Sequence, residues 1–118
     1  VLTPGLHGST FGGNPVCCAG ALNILSRIDD KLLKEVRQKS QYIKEELDGA
    51  SGIKKITGLG LMLGVETVKD SSSVILDCLE NGVLILKAKD KIRLLPTLNI
   101  SMEELKKSVA VIKEACAL

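Results

Sequence analysis

Residues 53–67 read IKKITGLGLMLGVET, and the period of the chain changes there. Leu61, Leu63 and Val65 alternate with Met62, Gly64 and Glu66, the two-residue rhythm of a strand with one buried face. The glycines around Leu59 break the stretch into two strands. Upstream the rhythm is helical. Leu32, Leu33, Val36, Ile43 and Leu47 share one face of a helix beginning at Asp29 or Asp30, and Gly49 to Gly52 ends it. An earlier helix starts at Asn14-Pro15, an N-cap followed by a residue whose missing N–H is not needed there. Its body, VCCAGALNIL (16–25), is rich in small residues and suits close approach to a neighbour.

Downstream, Ser71–Ser73 open a short helix carrying Val74, Ile75, Cys78 and Leu79, which Asn81-Gly82 stops. VLILKA (83–88) and KIRLLP (91–96) read as two short strands joined by a polar turn around 88–91. In the last helix, Ser101 and Glu104 form a capping box, Ile100 and Leu105 a hydrophobic staple, and Leu105, Val109, Ile112 and Cys116 a buried stripe. The order is α-α-β-β-α-β-β-α. Close strands with short connections predict an α+β fold: a small, mainly antiparallel sheet of three to four strands covered by helices. The two front helices are expected to need a further surface to pack on.

The 118 residues make one domain of ordinary size, and 45% hydrophobic with 25% charged residues is a globular composition. A net charge of +2 and two aromatic residues, Phe11 and Tyr42, give no footprint for nucleic acid or an anionic membrane. The uncharged stretch 8–26 is too short and too interrupted to span a bilayer. Cys17, Cys18, Cys78 and Cys116 form no C-x-x-C pair, and His7 is the one imidazole, so no metal is expected. The cysteines read as small buried hydrophobes of a reducing cytoplasm. Val1 rather than Met opens the chain, so preceding sequence is expected to be missing.

Chemistry concentrates in two places. HGSTFGGNP (7–15) sets hydroxyls and glycines before a helix N-terminus, a composition that suits either a flexible capped loop or the presentation of donors to an anion. Arg93 lies on the face of its strand opposite Ile92 and Leu94. It is either an exposed strand residue or a planar fork for a carboxylate. His7 reads as a loop residue with a structural hydrogen bond, and Glu45 and Glu46 as solvated. Glu66 reads as the cross-strand partner of a lysine. Lys87, Lys89 and Lys91 fall in a polar turn, where nothing lowers a lysine's pKa enough for Schiff-base chemistry.

Together HGSTFGGNP (7–15), GLGLMLGVE (58–66) and KIRLLPTLNIS (91–101) resemble the C-terminal part of class III aminotransferases, pyridoxal-phosphate enzymes of fold type I. The branch most resembled takes acetylornithine, with the ornithine and succinylornithine enzymes next. The resemblance implies the following expectations. The chain is the C-terminal small domain (1–118), whose loop and first helix (1–28) join it to a missing large domain. The enzyme is a cytoplasmic homodimer in which residues 8–13 reach into the partner subunit's site. Thr10 holds the phosphate of pyridoxal 5'-phosphate, Ser9 contacts substrate, and Arg93 clamps the substrate α-carboxylate. An amino group passes in ping-pong fashion from an amino acid to 2-oxoglutarate. The catalytic lysine belongs to the large domain, so the chain alone is expected to be inactive. Leu59, Thr97 and Cys17-Cys18 depart from the family pattern without touching Ser9, Thr10 or Arg93. The alternative is a free-standing anion-binding or protein-interaction module.

Overall fold

The strand pair anticipated at 53–67 forms one edge of the sheet. In the computed structural model, which describes residues 3–118, β1 (Ile53–Leu59) and β2 (Met62–Thr67) run antiparallel, from Ile53 opposite Thr67 to Leu59 opposite Met62. Gly60 takes φ 56° in the two-residue turn, and glycine first with positive φ is a favoured hairpin geometry. Leu61 therefore belongs to the turn rather than to the strand, although it is buried.

The remaining elements are α1 (Pro15–Leu25), α2 (Asp30–Leu47), α3 (Ser71–Glu80), β3 (Leu86–Ala88), β4 (Lys91–Leu94) and α4 (Met102–Cys116). The sheet has four strands in the order β1-β2-β4-β3, with every neighbouring pair antiparallel. β3 is shorter than the sequence implied, because Val83–Ile85 form an irregular lead-in that begins with the Val83 N–H donating to the Cys78 carbonyl at 2.8 Å.

The chain divides into two compact units, one ending at Asp30 and the other spanning Lys31–Leu118. In the second unit, alternation puts Leu63 and Val65 of β2 and Ile92 and Leu94 of β4 on one face, all buried. Ile43 and Leu47 of α2, Val74 and Cys78 of α3, and the α4 stripe Leu105, Val109, Ile112 and Cys116 join the same cluster. A sheet with one apolar face must bury it under helices, and each large aliphatic residue buried contributes about 1.5–3 kcal/mol. The front helix α2 thus finds its partner surface within the unit. In the first unit α1 buries none of its residues.

Local chemistry fixes the helix ends. The capping box at Ser101 and Glu104 forms as expected, with reciprocal bonds at 3.1 and 3.2 Å. α3 starts at Ser71, as expected, and its cap is Asp70, whose side chain accepts from Ser72 and Ser73 N–H. Two lysines tie helices to loops in ways no periodicity signals. Buried Lys39 donates to the Leu98 carbonyl at 3.0 Å, and Lys69 donates to the Ala115 carbonyl at 3.2 Å, near the C-terminus of α4.

The tightest close approach is at Gly52, where φ is 79° and an added Cβ would lie 1.7 Å from the Cys116 carbonyl oxygen. Gly49 has a similar φ of 72° but open space around it. Gly49→Ala is expected to cost about 1 kcal/mol in urea unfolding, the price of a left-handed alanine. Gly52→Ala is expected to cost at least about 3 kcal/mol, because α4 must also shift. Equal losses would contradict this packing of α4 over Gly52.

Candidate functional site

Arg93 sits in the middle of β4, opposite Gly64 of β2 on one side and Leu86 of β3 on the other. Since Ile92 and Leu94 enter the core, Arg93 stands on the other face of the sheet, half-buried. Gly64 has no side chain, which leaves room beside the guanidinium. A Cβ there would meet only ordinary contacts, Thr57 Oγ1 at 3.4 Å and Lys91 Cδ at 3.5 Å.

Arg93 Nε is buried and has no hydrogen-bond partner, and no ion pair forms with its side chain among the described residues. A buried donor left without a partner costs roughly 1–3 kcal/mol, and a guanidinium cannot discharge itself by losing its proton. The arrangement is that of a cation awaiting an anion, and the Nε side of the fork matches a carboxylate with two parallel bonds. Arg93 also borders a cavity of about 390 Å³ whose other walls are largely core residues, among them Ile43, Leu94, Leu105, Val109 and Ile112.

One step along the same face, Lys91 Nζ lies 2.7 Å from Glu66 Oε1, and both side chains are about one-third exposed. This is the cross-strand lysine partner expected for Glu66. The hydrogen bond that Lys91 donates to Glu66, opposed by partial desolvation and reinforced by the carboxylate's charge, raises the Lys91 pKa above its ordinary 10.5. Lys91 and Lys87 therefore lie on strands rather than in the turn, which is left to Lys89 at φ 60° and Asp90. Lys87 donates to Ser72 Oγ at 2.7 Å.

In the first unit, residues 9–14 form consecutive turns, with the Gly12 N–H donating to the Ser9 carbonyl and the Asn14 N–H to the Phe11 carbonyl. The start of α1 is not open to an anion as the sequence suggested. The Asn14 side chain accepts from Val16 and Cys17 N–H, its carbonyl accepts from Cys18 N–H, and Pro15 has none to offer. What remains is exposed Ser9 and Thr10, whose hydroxyls have no partner among the described residues. With the N–H groups of Thr10, Phe11 and Gly13, which enter none of the loop's backbone bonds, they form a donor set suited to phosphate oxygens. In donor chemistry these residues are compatible with a phosphate group such as that of pyridoxal phosphate.

Other expectations divide. Cys78 and Cys116 are buried, and burial pushes the Cys116 thiol up to about 11, so it stays protonated and inert at neutral pH. Cys17 and Cys18, expected inside, are exposed because α1 has no cover in this chain. His7 is exposed and makes no hydrogen bond among the described residues, contrary to expectation. Glu45 accepts from Gln41, whereas Glu46 is not simply solvated, since it pairs with Lys113 of α4 at 3.3 Å. No helix among the described residues is long and apolar enough to cross a membrane. Among those residues no group of three or more His, Cys, Asp or Glu could hold a metal ion.

The family model for class-III aminotransferases matches residues 1–116, and the chain belongs to that family. Acetylornithine aminotransferase of Haemophilus ducreyi is 44% identical over 115 residues, which are 96% of this chain and 29% of that protein. The solved ornithine aminotransferase of Toxoplasma gondii, described with pyridoxal phosphate partly occupying its active site, superposes with a TM-score of 0.78 at 34% identity, over 98% of this chain and 30% of that one. Acetylornithine aminotransferase of Elizabethkingia anophelis gives 0.78 at 31% identity, over 97% of this chain and 33% of that one. The chain therefore spans about 30% of the length of these relatives.

A raised Lys91 pKa makes the Glu66 pair a contribution that is complete below pH 10.5 and lost as pH climbs through the folded value. An NMR titration of the Lys91 side chain is expected to show a midpoint above 10.5 that falls back in Glu66→Gln. A midpoint insensitive to that substitution would mean that the pair does not persist in solution.

Proposed function

We propose that the chain is the C-terminal small domain of a pyridoxal-phosphate-dependent aminotransferase, a cytoplasmic homodimer that transfers the amino group of N2-acetylornithine to 2-oxoglutarate. The observation that carries this reading is the buried, unpartnered Nε of Arg93 in the KIRLLP strand of a class-III family member. Every amino acid and oxo acid in such a reaction presents a carboxylate, and one fixed guanidinium serves both half-reactions. Family membership weighs against the free-standing anion-binding or interaction module.

When bound, pyridoxal phosphate supplies the electron sink through which an amino group leaves one carbon and joins another. This chain's residues hold and orient. Arg93 binds the α-carboxylate and so fixes the direction in which the α-carbon points. Thr10 donates its hydroxyl to the cofactor phosphate of the partner subunit, and Ser9 beside it contacts substrate. The exposure of Val16, Leu22 and Leu25 on α1 supports residues 1–28 as the segment joining this domain to a large one. The catalytic lysine belongs to that large domain, so the chain by itself is inactive. The likeness to the Toxoplasma enzyme supports ornithine as the second candidate donor.

Arg93→Ala in the full-length enzyme is expected to raise KM for both the amino donor and 2-oxoglutarate by roughly ten- to a hundredfold, the value of a lost charge-assisted pair. Steady-state kinetics with each substrate varied in turn provide the measurement. Unchanged KM for both would remove Arg93 from the site.

A further inference from the structure

We propose that Asn81-Gly82 is a self-modification site: the C-terminal cap of α3 holds it shut, and opening of that cap lets Asn81 convert to aspartate and isoaspartate. The chemistry needs only water and base. The Gly82 backbone nitrogen gives up its proton and bonds to the side-chain amide carbon of Asn81. The bond from that carbon to Nδ2 breaks, and the nitrogen leaves as ammonia. Water then opens the resulting cyclic imide at either carbonyl. One opening gives aspartate; the other gives isoaspartate, in which the former side-chain carbon carries the backbone.

Of the four asparagines in the chain, Asn81 is the one whose neighbour permits this attack. Pro15 follows Asn14 and has no N–H to give up. Ile24 and Ile100 follow Asn23 and Asn99, and their β-branched side chains crowd the attacking nitrogen. Gly82 has no side chain, and a Cβ added there would meet nothing within 4 Å. Asn81 and Gly82 are both exposed, so water reaches them.

In the folded chain both reacting groups are engaged elsewhere. Asn81 Nδ2 donates to the Asp77 carbonyl at 2.8 Å, and the Gly82 N–H donates to the Leu79 carbonyl at 3.0 Å. The Asn81 ψ of 19° turns the Gly82 nitrogen away from the side-chain carbon it must reach. Gly82 at φ 80° and the Val83 N–H, bonded to the Cys78 carbonyl at 2.8 Å, complete a left-handed helix cap. Val83 also packs against the core cluster that contains Cys78. Reaction therefore waits for the last turn of α3 to open, a local event separate from unfolding of the whole domain.

Either product replaces the Asn81 amide donor with a carboxylate facing the Asp77 carbonyl. It also adds negative charge at a helix C-terminus that already carries Asp77 and Glu80, where the dipole disfavours it. Isoaspartate further lengthens the backbone inside the cap, just before the lead-in to β3. The cap cannot reform as it was, so conversion is one-way and accumulates with each opening.

Peptide mapping of the full-length protein, aged in warm neutral buffer, measures aspartate and isoaspartate at each asparagine, with the same protein unfolded in guanidinium chloride as reference. Asn81 is expected to convert fastest in the unfolded chain, and roughly tenfold or more slowly in the folded one. Val83→Ala weakens the cap while leaving Asn81-Gly82 intact, and is expected to raise the folded rate about three- to tenfold. Should it not accumulate as folded protein, Val83→Thr carries the same expectation. Gly49→Ala, which destabilises the domain away from α3, is expected to leave the rate within about twofold. Equal rates in the folded and unfolded protein overturn the shutting role of the cap. A Val83→Ala rate no faster than that of the unsubstituted protein, or matched by Gly49→Ala, overturns local opening as the gate. Conversion at Asn23 or Asn99 as fast as at Asn81 in the unfolded chain overturns the assignment of the site.

Discussion

The pairing of β2 with β4 is the constraint on which the rest of the second unit depends. It brings Leu63 opposite Leu94 and Val65 opposite Ile92, so that four large aliphatic side chains enter the core together. The helices α2, α3 and α4 close over that face because nothing else in the unit can keep it dry. The same register decides what the other face presents. A slip of one residue would turn Arg93 and Lys91 inward and Ile92 outward, and burying two cations costs far more than the strand pairing returns. Core packing and the placing of Arg93 are thus one event. The position of Arg93 is set by the aliphatic side chains on either side of it.

Most of this was legible in the sequence because the signals were local. Alternation at 61–66, the Ser101–Glu104 box and the Asn14-Pro15 start each rest on a few adjacent residues, and all three led to the observed elements. The orientation of Arg93 followed from strand parity alone. The misreadings had non-local causes. Cys17 and Cys18 have a composition suited to burial, but burial requires a surface, and α1 has none here. The open helix N-terminus expected after Thr10 is closed by Asn14, whose cap consumes the Val16 and Cys17 N–H donors. Lys39 and Lys69 reach carbonyls far along the chain, contacts that no window of sequence reports. Most telling for the site, the missing partner of Arg93 Nε is a property of the packed structure, since it depends on where every neighbouring carboxylate went.

Arg93 is set apart by its buried Nε, which has no hydrogen-bond partner. The other cations that are not fully exposed, Lys39, Lys69 and Lys91, each have an oxygen partner in a carbonyl or a carboxylate. An unmatched, half-buried guanidinium is a cost to the folded state that a bound carboxylate would offset. The cost is consistent with a site whose anion arrives as substrate. The Ser9–Thr10 loop in the first unit adds hydroxyl and N–H donors that suit a phosphate.

The most direct measurement is a crystal structure of the full-length protein with a five-carbon dicarboxylate such as glutarate bound in place of substrate. The account predicts one carboxylate against Arg93, with two nitrogen–oxygen distances of about 2.7–2.9 Å, one of them to Nε, and with Glu66 still on Lys91. A carboxylate held by another cation, with Arg93 Nε still unpartnered, would contradict it.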